Sequence, residues 1–148
     1  MRPDGTRVRD LTAIMQALPY VMPKRDDAQN WAEENLDEDA IRDYIRAKRR
    51  EGRSVTHMSL LVSAYYRAVL KNPKINYFVM NRRIYKRNHF CFSFVILKTR
   101  ADGTPDETSL KVYLEPEDTV FTVTEKIRST IEKNQNVRHN NEASLSFS

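Results

Sequence analysis

The chain has 148 residues, 40% of them hydrophobic and 30% charged, a balance that suits one folded domain rather than a fibrous or fully disordered chain. Its one cysteine, Cys91, excludes an intramolecular disulfide and any cysteine-cluster metal site, and no apolar run reaches the roughly 20 residues of a membrane helix. A net charge of +5 permits phosphate-bearing or acidic partners without requiring them. No apolar core follows Met1-Arg2-Pro3-Asp4-Gly5, so no secretory signal is read and a cytoplasmic protein is expected.

Residues 1–17 are polar and mixed, and read as an arm that is partly helical from Leu11 to Ala17. Leu18-Pro19-Tyr20-Val21-Met22-Pro23 contains two prolines that cannot donate to a ladder, which predicts an edge strand or an extended crossover. Weak alternation over Ala28 to Leu36 predicts a short strand around Trp31. Asp37 to Arg50 is an amphipathic helix with Ile41, Tyr44, Ile45 and Lys48 on one stripe. Asp37, Glu38 and Asp39 at its start, and Lys48, Arg49 and Arg50 at its end, complement the helix dipole. Gly52 supplies the left-handed position after it.

A second helix starts after Thr56, whose hydroxyl is suited to cap it, and stops at Asn72-Pro73. Met58, Leu61, Tyr65, Ala68 and Val69 lie near one face. Leu60, Val62 and Ala64 spread apolar character around the rest, predicting a helix packed on more than one side. Asn76 to Met80 and Ile84-Tyr85 alternate around the polar turn Asn81-Arg82-Arg83, which reads as a hairpin. His89 to Lys98 is the strongest strand. Phe90, Phe92, Phe94 and Ile96 face one way and Cys91, Ser93, Val95 and Leu97 the other, which predicts a central strand covered on both sides. A loop from Ala101 to Asp106 leads to a strand in which Leu110, Val112 and Leu114 alternate with Lys111, Tyr113 and Glu115. Pro116 ends it. Val120, Val123, Ile127 and Ile131 define a third helix, capped by Asp118 or Thr119, and Asn134 to Ser148 has no periodicity and is expected to be loosely ordered. The fold class is therefore α/β: a mixed, mostly antiparallel sheet with helices packed on it, within residues 18–134, flanked by the 1–17 arm and a 135–148 tail.

The glycines are Gly5, Gly52 and Gly103, so there is no phosphate loop and no dinucleotide fingerprint. There is no G-x-S-x-G elbow either. His57, His89 and His139 stand in no metal-ligand spacing, and no metal site is assigned. His57, at a helix start, has the position of a neutral base but no identifiable partner, and reads as a local packing residue. Cys91, among phenylalanines, reads as a buried and inert thiol. Arg82, Arg83, Lys86 and Arg87, interleaved with Tyr85 and His89, are a basic turn able to track phosphates or simply a solvated hairpin tip. Phe90, Phe92 and Phe94 are expected to face inward rather than to stack on bases, because the helices need an apolar surface to cover.

Ser54-Val55-Thr56-His57 opens the second helix, and Ala68-Val69-Leu70-Lys71-Asn72-Pro73-Lys74-Ile75-Asn76 closes it ahead of a strand and a short polar turn. In that combination the stretch resembles the catalytic domain of the dihydrolipoamide acyltransferases of the 2-oxoacid dehydrogenase complexes, a fold shared with chloramphenicol acetyltransferase. The resemblance runs from about Leu18 to Ile131. It implies a chloramphenicol-acetyltransferase-like fold, trimer formation with active sites between subunits, and acyl transfer between coenzyme A and a thiol or hydroxyl acceptor. It also implies a catalytic histidine in an H-x-x-x-D-G motif, acting as base on the attacking group. Asn140, Asn141, Glu142 and Ala143 follow His139, which is not that motif. The resemblance thus covers the N-terminal half of such a domain. No residue here is assigned as catalytic or cofactor-binding, and coenzyme A thioester is expected as a substrate rather than a resident cofactor. The alternatives are a non-catalytic binding or assembly module on the same scaffold, and nucleic-acid binding through residues 82–89.

Overall fold

Thr56 starts the element around which the rest is arranged. Its hydroxyl accepts from the Ser59 N–H at 3.1 Å, while the Ser59 Oγ accepts from the Thr56 N–H at 3.0 Å, a reciprocal capping box that satisfies two helix-start donors. The helix that follows, His57–Lys71, ends at Asn72, where Pro73 opens a short 3-10 turn to Asn76. The structure is a computed structural model that describes residues 4–99 and 104–145. In chain order its elements are β1 (Gly5–Arg7), α1 (Ala13–Val21), α2 (Glu38–Arg50), α3 (His57–Lys71), β2 (Tyr77–Met80), β3 (Arg83–Arg87), β4 (Phe90–Thr99), β5 (Pro105–Leu114) and α4 (Val120–Leu145).

The fold is mixed α/β with antiparallel strand pairs, divided between two small sheets rather than one. β1, β3 and β2 form the first, with β3 in the middle, and β4 and β5 form the second. The β2–β3 turn is two residues long, with Asn81 and Arg82 at φ 49° and 56°. Positive φ at both central residues is the geometry whose twist matches a tight hairpin. In the second sheet, register sets Phe90 opposite Leu114, Phe92 opposite Val112 and Phe94 opposite Leu110. That face takes α3 and α4. Val62, Tyr66 and Val69 from α3 meet Val112 and Leu114 from β5 and Val123 and Ile127 from α4, with Phe90, Phe92, Phe94 and Ile131 packed against them. Tyr66 anchors the junction: its ring lies 4.7 Å from that of Phe90, and its hydroxyl donates to the Leu114 carbonyl at 3.2 Å.

α3 and α4 cross where the side chains are small. Ser59 is fully buried, its Oγ donating to the Thr56 carbonyl at 2.9 Å and lying 2.7 Å from the hydroxyl of the buried Thr124. The loop into α4 is held by Asp118. Its largely buried carboxylate accepts from the Glu115 N–H at 2.7 Å, the Thr122 hydroxyl at 2.8 Å and Lys126 Nζ at 2.6 Å. Burial pushes the Asp118 pKa up, but these donors, the Glu115 N–H foremost, outweigh it and hold the group below its ordinary 3.8. A depressed carboxylate contributes stability that is present above the unfolded value and lost as pH falls through the folded one. Asp118→Asn is therefore expected to cost about 1–3 kcal/mol near pH 6, with the gap to wild type closing below about pH 4. Urea titrations across that range read it directly.

β1 docks against β3 where the backbone leaves no room for a side chain. A Cβ on Gly5 would lie 2.7 Å from the Phe78 ring and 3.0 Å from the Lys86 carbonyl oxygen. Gly5→Ala is expected to lift β1 off the sheet at a cost of about 1–3 kcal/mol. Faster hydrogen exchange at the Val8 amide, which donates to the Ile84 carbonyl, reports that loss.

Several expectations need correction. Within the segment read as an arm, Gly5–Arg7 is a strand of the first sheet. Leu18 to Val21 is not an edge strand but the end of α1; a proline in the last turn of so short a helix removes one bond, and the Met22 N–H still donates to the Leu18 carbonyl at 2.8 Å. No strand forms from Ala28 to Leu36, and Trp31 is 90% exposed. α3 is covered on one side only: Ser59, Val62, Tyr66 and Val69 are buried, while Met58, Leu61 and Tyr65 are exposed. Among the described residues β4 pairs with β5 alone rather than as a central strand, and Val95 and Leu97 on its outer face are exposed. The helical backbone of α4 continues past Asn134 to Leu145, through most of the segment read as an aperiodic tail. The 101–106 loop lies partly outside the described residues, and β5 begins at Pro105.

Candidate functional site

A cleft of about 640 Å³ opens where the end of α3, the end of β3 and the end of β5 converge. Each wall has a local cause. Pro73 turns the chain out of α3 and places Asn76 at the rim, where its side-chain N–H₂ donates to the His89 carbonyl at 3.3 Å. That bond ties the turn after α3 to the start of β4. Lys86 and Arg87 come from the last residues of β3, and Arg87 lies over the Phe78 ring at 4.6 Å. Tyr113 and Glu115 come from the end of β5, stopped by Pro116, and His89 meets the Tyr113 ring edge-on at 6.0 Å. Val69, Leu70 and Phe90 supply an apolar floor.

Chemically, this is an open cleft with an apolar floor, two cations and a histidine at one end, and an amide at the rim. Such a mixture fits a ligand with an anionic end and an apolar or amphipathic body. Tyr66, at the inner wall, has its pKa raised by burial first and then by Glu115, Asp118 and Glu117, so its hydroxyl stays protonated and serves as a donor.

The structure separates the residues singled out from the sequence. His57 is exposed at the first turn of α3 and does not line the cleft. His89 does line it. Cys91 is not buried: its side chain is on the outer face of β4, exposed, with Sγ 3.9 Å from the Phe92 carbonyl. The alternating pattern of β4 predicts cover on both faces; α3 and α4 cover only the phenylalanine face, and nothing among the described residues covers Val95 and Leu97. Phe90, Phe92 and Phe94 face the core as expected. The basic turn divides: Arg82 and Arg83 lie at one end of β3, Lys86 and Arg87 at the other, lining different hollows. His139 lies in the α4 backbone. Among the described residues no three His, Cys, Asp or Glu side chains are grouped to hold a metal ion, and no helix is long and apolar enough to cross a membrane. Sequence reasoning did not anticipate Tyr113 and Glu115 as cleft residues; the signal available was the Pro116 stop, which fixes the strand end facing Asn76.

Fold and cleft together define a mixed α/β protein with a cation-rimmed, apolar-floored cleft. Comparison with protein-family models, with curated proteins and with solved structures returns no match to this chain.

Proposed function

We propose that the chain forms the N-terminal part of an acyl-transfer scaffold of the chloramphenicol-acetyltransferase type, and that its cleft takes a coenzyme A thioester. The observation that carries this reading is a coincidence of position. The Pro-x-x-Asn element, on which the sequence resemblance rests, supplies the rim of this cleft, facing Lys86, Arg87 and His89. The cations suit the phosphates of coenzyme A, and the Val69–Leu70–Phe90 floor suits its less polar arm. A neutral base for the acceptor thiol or hydroxyl is not assigned to any residue of this chain, so binding without turnover is the expected behaviour of these 148 residues alone.

Calorimetric titration with coenzyme A and with acetyl-coenzyme A tests it. Saturable binding is expected, weakened about tenfold, or about 1.4 kcal/mol, in the Lys86→Gln/Arg87→Gln double variant. Absence of saturable binding at millimolar ligand contradicts the reading.

A second reading, a non-catalytic assembly module on the same scaffold, draws on a different observation. Met58, Leu61 and Tyr65 on α3 and Val95 and Leu97 on β4 form apolar surface with no cover from the described chain. Sedimentation showing a stable oligomer, trimeric if the resemblance holds, with no affinity for coenzyme A favours this second reading. Nucleic-acid binding through 82–89 draws less support, because its four cations point to two separate hollows rather than one strip.

A further inference from the structure

The opposite end of β3 carries a second basic hollow that the acyltransferase reading does not use. It encloses about 480 Å³ and is walled by Arg7 and Arg9, by Arg82 and Arg83, and by Pro19 and Tyr20 of α1. No carboxylate is among its lining residues. Each arginine is placed there by backbone geometry. β1 pairs with β3 in a register that sets Arg7 opposite Tyr85, and the Val8 N–H donating to the Ile84 carbonyl at 3.0 Å carries the pairing one step further. Arg9 follows two residues past Arg7 and lines the same hollow as Arg83. Cross-strand partners, and side chains two apart on a strand, share a face, so Arg7, Tyr85 and Arg83 lie on one side of the sheet.

Arg82 joins them from the turn. It sits at φ 56°, a left-handed conformation that an arginine adopts at a cost and that glycine or asparagine fills more readily. Its guanidinium lies over the Tyr20 ring at 5.4 Å, holding it toward α1. None of the four arginines forms an ion pair with a described residue. Like charges gathered around one hollow repel, so the clustering of four arginines works against the fold. A left-handed arginine in the adjoining turn works against it too. Local cost concentrated at one concave spot is the mark of a site arranged for a ligand.

We propose that this hollow is a binding site for a small phosphorylated molecule, with a pyrophosphate or a terminal phosphate held by Arg9 and Arg83 and flanked by Arg7 and Arg82. Guanidinium groups present paired N–H donors that match phosphate oxygens, which a set of lysines would not do as well. The volume falls in the range of small-molecule sites rather than of a nucleic-acid groove. The site is distinct from the coenzyme A cleft and does not rest on that assignment. On β3, Arg83 and Arg87 are four residue steps apart, about 13 Å of strand.

The test uses the full chain and two probes, inorganic pyrophosphate and ADP, measured by calorimetry and by the shift in thermal midpoint. Pyrophosphate is expected to bind and to raise the midpoint of the wild type. Arg9→Gln/Arg83→Gln is expected to lose at least tenfold in affinity and all of the midpoint gain, while its ligand-free midpoint equals or exceeds that of wild type because the repulsion is gone. Arg49→Gln/Arg50→Gln, at the exposed end of α2 and outside both hollows, is expected to bind pyrophosphate as wild type does. ADP binding as tightly as pyrophosphate assigns the site to a nucleotide's phosphates; ADP binding more weakly assigns it to the free anion, and both uphold the site. Equal loss in the two double variants would show a diffuse basic surface and overturn the proposal, as would no binding of either probe. Oligonucleotide binding that pyrophosphate does not displace would overturn it in favour of nucleic acid.

Discussion

Tyr66→Ala is expected to destabilise the protein by about 3–5 kcal/mol, because it empties the space between α3, β4 and β5 and removes the donor to the Leu114 carbonyl. Against a domain stability of about 5–15 kcal/mol, that is enough to populate the unfolded chain measurably at 37 °C. Tyr65→Ala is the control. Its ring is 54% exposed and is expected to cost about 1 kcal/mol or less. Urea unfolding of the two variants reads the orientation of α3. If Tyr65→Ala were the more damaging, the buried face would be the one through Met58, Leu61 and Tyr65, and the packing described above would be wrong.

The second large effect is expected at Ser59. Ser59→Leu forces a branched side chain into the α3–α4 crossing and removes both the capping box and the contact with Thr124, at a cost of about 2–4 kcal/mol. Ser59→Ala keeps the helices close and loses only the hydrogen bonds, at about 1–2 kcal/mol. The ordering matters more than either value. A surface serine would give two small and similar effects, whereas a spacer between helices gives a large one that grows with side-chain size.

These two positions also show where the sequence was legible and where it was not. The limits of α2 and α3 followed from local chemistry: Asp37 and Thr56 at the starts, Gly52 and Pro73 at the ends. The β2–β3 hairpin and the inward phenylalanines of β4 followed from alternation. The buried face of α3 did not, because hydrophobicity favoured the stripe through Leu61 and Tyr65, while close helix packing selected a serine that hydrophobic periodicity does not count. β4 was read as central because both its faces are apolar. Yet apolar character states only that a surface can be covered, and in this chain Val95 and Leu97 are uncovered. Pro19 was weighed as a strand breaker and so concealed α1, whose short length makes the lost bond tolerable. The cleft was half legible: Asn76 and the basic residues of β3 stood out, but their pairing with the end of β5 depends on a register that no local pattern encodes.

The arginine hollow has the same origin. Arg9 and Arg83 lie 74 positions apart; Arg83 stands out in the sequence only as part of a basic turn, and Arg9 not at all. Only the pairing of β1 with β3 brings them to one hollow.

The functional reading is tested most directly by following backbone amide NMR shifts as coenzyme A is added to the full chain. The account predicts saturable shifts at Asn76, Lys86, Arg87, Asn88 and Tyr113 that the Arg9→Gln/Arg83→Gln variant retains and the Lys86→Gln/Arg87→Gln variant weakens. Shifts confined to other surfaces, or none at all, would contradict it.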